Sequence, residues 1–253
     1  MTQSKIALVT GGSRGLGKNM ALAIAKKGLD VILTYNSQKA EADGVVSEIE
    51  ALGQKAFALQ LNVADANSFD GFFTEVSDAL SLNFGTDKID YLVNNAGIGI
   101  HKAFAETTQD EFDTLVAIQF KGPFFLSQKA LPVLADGGGI VNISTGLVRF
   151  ATPGYSTYAS MKGGMEVLTR YQAKELGARG IRVNIVAPGA IETDFGGGVV
   201  RDNDQVNAHI ASQTALGRVG LPDDIGGVVA FLCTDDARWI TAQRIEASGG
   251  MFL

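Results

Sequence analysis

Short apolar runs alternate along the chain with longer stretches in which apolar residues recur at helical spacing. The short runs fall at residues 6–9, 31–34, 56–59, 89–93, 140–143 and 182–186, with a weaker one at 243–246. They are brief, rich in β-branched residues and mostly apolar, which predicts strands buried on both faces. The helical stretches cover residues 17–27, 38–52, 66–80, 111–134, 155–176 and 223–233. Strict alternation of strand and helix predicts an α/β fold: a doubly wound parallel sheet of about seven strands, with right-handed crossovers and helices on both faces. In such sheets ligands bind beyond the carboxyl ends of the strands, near the point where strand order reverses. The chemistry is therefore sought just after each strand.

The chain has no repeat, low-complexity tract or Pro/Ser linker, so residues 1–253 are read as one domain. The one shift in composition is Gly196-Gly197-Gly198 followed by the polar residues 201–204, which predicts a mobile substrate lid over about 195–215. A net charge of −6, with no basic stripe, argues against a nucleic-acid or anionic-membrane surface. No apolar run approaches the ~18 residues of a membrane span. Residues 1–15 lack the apolar core of a secretory leader, and the single cysteine, Cys233, cannot form an internal disulfide. A reducing, cytoplasmic setting is expected. His101 and His209 have no Cys or acid cluster beside them at ligand spacing, so no metal is expected.

Glycine is abundant, 31 residues, and its placement is informative. The first strand runs into Thr10-Gly11-Gly12-Ser13-Arg14-Gly15-Leu16-Gly17 and then a helix. Such a turn lets backbone N–H groups and a helix N-terminus meet a pyrophosphate with no Cβ in the way. The second strand ends Tyr35-Asn36-Ser37, without the acid that holds an NAD ribose. Amide and hydroxyl donors there, with Arg14 from the first turn, suit a 2′-phosphate. NADP(H) is favoured and NAD(H) is the alternative.

Tyr158 and Lys162 lie i,i+4 in a helical stretch and so share a face. An ammonium there is expected to lower the phenol's pKa from ~10 and ready it for proton exchange with a carbonyl/alcohol pair. Ser144 and Thr145, at the end of the fifth strand, offer a hydroxyl to the substrate oxygen.

With these motifs the chain resembles the short-chain dehydrogenases/reductases of the ~250-residue type. The likeness rests on residues 10–17, Asn94-Asn95-Ala96-Gly97, Tyr158 with Lys162, Pro188-Gly189 with Thr193, and Ser248-Gly249-Gly250. It implies a Rossmann-like fold and hydride transfer between NADP(H) and a carbonyl or secondary alcohol: most commonly an oxoacyl-thioester, then a sugar, polyol or steroid-like substrate. It implies that Lys162 contacts the nicotinamide ribose and that Asn62 and Val63 face the adenine. Asn95, Ala96 and Gly97 would line a ribose, while Pro188, Gly189, Ile191 and Thr193 complete the cofactor contacts. The family's catalytic serine stands thirteen residues before the tyrosine, which selects Thr145 over Ser144. Gln119 stands where the family has an asparagine that anchors a proton-relay water. The resemblance also implies a homotetramer, or failing that a dimer, built on the helices at 111–134 and 155–176 and the C-terminal residues 251–253. The competing reading is a catalytically retired NADP(H)-binding sensor or scaffold, which Gln119 and Thr145 favour and the intact Tyr158/Lys162 pair opposes. Residues 98–102, 147–150 and Tyr155 are expected to wall the pocket, with Arg149 either meeting an anionic substrate group or facing solvent or a subunit.

Overall fold

A computed structural model describes residues 4–253. Seven parallel strands form one sheet in the order β3-β2-β1-β4-β5-β6-β7. The strands are β1 (Ile6–Val9), β2 (Asp30–Tyr35), β3 (Ala56–Gln60), β4 (Ile89–Asn94), β5 (Leu134–Ile143), β6 (Arg182–Pro188) and β7 (Arg244–Ala247). The chain builds outward from β1 to β3, then returns to place β4 against the other side of β1. The order reverses there, so the turns after β1 and β4 face one crevice.

Alternation along each strand fills two cores. Ala7, Val9, Val31 and Leu33 pack on α1 (Gly15–Lys26), α2 (Lys39–Ala51) and α9 (Pro222–Leu232) through Met20, Ile24, Val45 and Val229. Ile6, Leu8, Ile32 and Leu92 face the other way, onto α3 (Phe69–Ala79), α5 (Gly122–Ala130) and α6 (Ser156–Leu176) through Phe69, Phe72, Val76, Leu126 and Ala173. Both faces being covered explains why the strand runs are apolar rather than alternating.

Two expectations change. The helix read over residues 111–134 is broken into α4 (Gln109–Val116), a π turn at Ala117–Lys121 and α5. Gly122 N donates to Ala117 O five residues back, and Pro123, having no N–H, leaves the Gln119 carbonyl without its helical donor. The helix also stops at Ala130, because Leu134 already pairs with Ile89 as the start of β5. The segment expected as a lid, 195–215, carries a 3-10 turn at Phe195–Gly198, α7 (Val199–Asp202) and α8 (Asp204–Ser212). Gly196, Gly197 and Gly198 all have positive φ, at 63°, 79° and 76°, which turns the chain sharply between the sheet and these helices. Asn203 caps α8, and Asn207 Nδ2 donates to Glu192 Oε1 at 2.7 Å, tying the segment to the end of β6.

Candidate active site

The turn after β1 is built almost wholly by backbone and neutral side chains. Gly12 N donates to Thr34 O at 2.8 Å and Gly11 N to Thr34 Oγ1 at 3.1 Å. Asn95 and Ala96 each donate their N–H to Thr10 Oγ1 at 3.0 Å. Asn95 Nδ2 donates to Thr10 O at 2.9 Å and Gly11 O at 3.3 Å, so its amide locks the glycine turn rather than reaching outward. A Cβ at Gly17 would fall 2.0 Å from Gly11 O and 2.5 Å from Asn95 Nδ2, so only glycine lets α1 start this close to β4.

The N-cap residue of α1, Arg14, makes no side-chain cap, and the first helical turn carries no acid. Its N–H groups are therefore open to an anion. Across the cleft from Gly15 stands Thr193, whose Cβ lies 3.9 Å from the place a Gly15 Cβ would take. Arg14, Asn36 and Ser37 are exposed and Tyr35 is buried. Asn62 Oδ1 accepts Ala64 N at 3.1 Å and keeps a second lone pair. Pro188 ends β6, Gly189 packs on Ser248, and Ile191 bridges to Gly220. The residues present fit a nicotinamide dinucleotide laid from the β1 turn across β4 towards β6.

At the far end of the crevice, α6 presents Tyr158 and Lys162 on one buried face, with Lys162 Nζ 5.8 Å from the centre of the Tyr158 ring. Lys162 Nζ donates to Ile143 O at 2.8 Å, which fixes it against the end of β5. Burial pulls the Lys162 pKa down to about 7. Burial, with a smaller contribution from Tyr155, pushes the Tyr158 phenol above its usual 10. The phenol is thus not lowered by the lysine in the protein alone, contrary to expectation. The reason is physical: a lysine desolvated enough to titrate near neutrality is a weak source of charge for its neighbour.

Thr145 is extended, at φ −159° and ψ 153°, and its Oγ1 accepts Leu147 N at 3.3 Å. Ser144 is turned away: its Oγ donates to Glu166 Oε1 at 2.7 Å. Of the two hydroxyls, only that of Ser144 is engaged by a carboxylate. Gln119 is fully buried in the π turn. Its Nε2 donates to Ile98 O, and its Oε1 has no partner among the described residues. A Cβ on Gly97 would lie 2.8 Å from both amide atoms, so the longer side chain packs against the loop after β4.

Aromatic rings cover this end. The Phe195 ring lies 5.6 Å from that of Tyr158, and His101 meets Tyr155 edge-on at 4.9 Å. Lys102 N donates to Gly154 O at 2.9 Å and joins the two wall loops. Arg149 does not reach for a ligand. It pairs with Glu246 at 2.7 Å and donates to Phe252 O at 3.2 Å, while Phe150 packs on Phe252 at 4.8 Å.

Sequence reasoning missed a cluster behind Thr145 in which Arg244 bonds Glu166 and Glu246. Burial would raise the Glu246 carboxyl, but hydrogen bonds from Arg149, Arg244 and Ser248 outweigh it and hold the pKa at about 2. One signal was available: Glu166 lies at i+4 from Lys162 and i+8 from Tyr158, a charge on the face that should be buried.

Among the described residues no group of three or more His, Cys, Asp or Glu is placed to hold a metal ion. A family model described as enoyl-(acyl carrier protein) reductase matches residues 11–252. The 3-oxoacyl-(acyl-carrier-protein) reductase FabG of Staphylococcus aureus is 39% identical over 255 residues, covering 100% of both chains. The promiscuous reductase LugOII, which catalyses keto-reduction at C1 during lugdunomycin biosynthesis, superposes with a TM-score of 0.93 at 39% identity, covering 99% of each chain. The landomycin C-6 ketoreductase LanV, solved with NADP and rabelomycin, gives a TM-score of 0.89 at 38% identity over 99% of this chain and 97% of that one. With the fold, the glycine turn and the Tyr158/Lys162 pair in place, these likenesses settle the lineage: the chain belongs to the short-chain dehydrogenase/reductase family.

Proposed function

We propose that the protein is an NADP(H)-dependent carbonyl reductase whose proton chemistry runs through Tyr158. The observation that carries this is the pair of buried groups on one face of α6, Tyr158 and Lys162, beside the end of β5 and under Phe195. Gly11, Ser13, Gly15, Leu16 and Gly17 would receive the pyrophosphate, and Arg14 with Asn36 and Ser37 the 2′-phosphate. Asn62 and Val63 would face the adenine. Ala96, Gly97, Pro188, Gly189, Ile191 and Thr193 would line the remainder. When bound, the nicotinamide supplies the hydride.

In this reading the Tyr158 hydroxyl gives its proton to the carbonyl oxygen as negative charge builds there. The Thr145 hydroxyl donates a hydrogen bond to the same oxygen and stabilises that charge. A phenol held above its usual pKa is fully protonated at neutral pH, which suits it as the acid of reduction. Lys162, titrating at about 7, can take up or pass on a proton to restore Tyr158. The orphan Gln119 Oε1 is an acceptor for a water in that relay. The helical segment at 199–212, hinged at the three glycines, acts as the lid.

The rings of Phe195 and Tyr155 favour a ketone with an apolar or aromatic body over a sugar or polyol. One related reductase catalyses keto-reduction at C1 during lugdunomycin biosynthesis, another is a C-6 ketoreductase solved with rabelomycin and a third is a 3-oxoacyl-(acyl-carrier-protein) reductase, which agrees with that preference. The exposed side chains of Phe124, Phe125, Val167 and Tyr171 on α5 and α6, beside a groove of about 570 Å³, support self-association as a homotetramer. The buried thiol of Cys233 suits the cytoplasm, and among the described residues no helix is long and apolar enough to cross a membrane.

NADPH oxidation measured against a bicyclic aromatic ketone, an oxoacyl thioester and a keto-sugar tests the reading. The expected order of kcat/KM places the keto-sugar last by at least about tenfold. A preference for the keto-sugar, or no turnover of any ketone, would contradict it.

A further inference from the structure

The loop that carries Thr145 is held from behind by charges outside the proposed chemistry. Ser144 N donates to Val186 O at 2.7 Å, the last sheet bond before the chain leaves β5. Beyond that point Arg244, on the edge strand β7, reaches in. Its Nη2 donates to Thr145 O at 3.3 Å, its Nε to Glu166 Oε1 at 2.7 Å and its Nη1 to Glu246 Oε2 at 2.8 Å. Glu166 Oε1 accepts the Ser144 hydroxyl as well, at 2.7 Å. The carbonyl of Thr145 and the side chain of its neighbour are therefore fixed by one arginine–glutamate pair.

Among the described residues the only other bond to that carbonyl is the long one from Val148 N, at 3.4 Å. The pair is largely shielded, with side-chain exposures of 25% for Arg244 and 12% for Glu166, so its charge-assisted bonds hold direction where surface pairs would not. Glu166 also rides on the helix of Tyr158 and Lys162, two turns beyond the phenol. One rigid element thus carries the phenol and, through Arg244, anchors the backbone of Thr145.

We propose that Arg244, through its pair with Glu166, is a positioning residue that sets where the Thr145 hydroxyl meets the substrate oxygen. This rests on Thr145 being the hydroxyl that does so. It does not touch substrate or cofactor itself; it acts through the Thr145 backbone.

A double-mutant cycle in NADPH-dependent ketone reduction tests it. Arg244→Leu should lower kcat about tenfold, as expected for a hydroxyl displaced by a fraction of an ångström, with the ketone KM and the NADPH Kd within about twofold of wild type. Thr145→Val should lower kcat further. The double variant should be no slower than Thr145→Val alone, because Arg244 has nothing left to position. A purely structural role would not give that non-additivity. Losses that multiply, a change confined to KM, or a kcat for Arg244→Leu within about twofold of wild type would overturn the proposal. If Thr145→Val keeps wild-type kcat, the Thr145 reading fails and the proposal with it, a pattern distinct from the others. Should Arg244→Leu not fold, Arg244→Lys runs the same cycle. It keeps a cation beside Glu166 but loses the planar fork that reaches Thr145 and the carboxylates together.

Discussion

The turn after β1 and the turn after β5 both border the reaction crevice, yet they are held in opposite ways. The first is fixed by neutral hydrogen bonds from its immediate neighbours in the sheet, Thr34 and Asn95, and by glycines packed too tightly for any side chain. The second is fixed by ionised groups from distant parts of the chain, Glu166 on α6 and Arg244 on β7. Close backbone packing tolerates almost no substitution and suits a ligand that does not vary. The difference teaches that, in the proposed reading, the cofactor end is a backbone structure and the substrate end a side-chain structure.

The contrast can be broken at its stiffest point. Gly17→Ala should destabilise the protein by about 3 kcal/mol or more and abolish NADPH binding, since the new methyl meets Gly11 O and Asn95 with no room to yield. Urea unfolding and cofactor fluorescence would show it, and a variant of near wild-type stability would mean the turn is less tightly packed than the geometry says. A smaller effect is expected from Arg14→Glu, which leaves the turn intact and alters only an exposed side chain. The NADPH Kd should rise about 10- to 100-fold while the NADH Kd changes little, as loss of one charge-assisted phosphate contact implies. Equal changes for both cofactors would place Arg14 away from the 2′-phosphate.

The smallest expected effect is at Lys162, and its sign follows from burial. The folded pKa, about 7, lies below the usual 10.5. Between those values the unfolded chain binds the extra proton, so stability should climb as pH rises through the window, by at most about 1.4 kcal/mol per unit. Lys162→Met should lack that slope. The difference in unfolding free energy between the two proteins, followed by urea titration from about pH 7.5 to 9.5, checks it. A difference that stays flat would mean the lysine is charged in the fold.

The same contrast explains how much could be read beforehand. The alternation of strand and helix, the β1 turn and the Tyr158/Lys162 pair are local patterns, and the structure places them where their spacing implies. One miss was local: the break at Ala117–Lys121 lies inside a strong helical period that hid it. The others were non-local. The role of Arg149 could not be seen because its partners, Glu246 and the carbonyls of Met251 and Phe252, lie about a hundred residues away. The lowered phenol pKa was inferred from charge alone, whereas burial acts on both members of the pair and dominates.

The most direct test of the central claim separates binding from chemistry at Tyr158. Tyr158→Phe keeps the ring that packs on Phe195 and removes only the hydroxyl. It should bind NADPH with a Kd within about twofold of wild type while reducing ketones at least about a thousandfold more slowly, the scale expected for loss of a positioned proton donor. Turnover within about tenfold of wild type, with binding intact, would contradict the account and move the proton chemistry elsewhere.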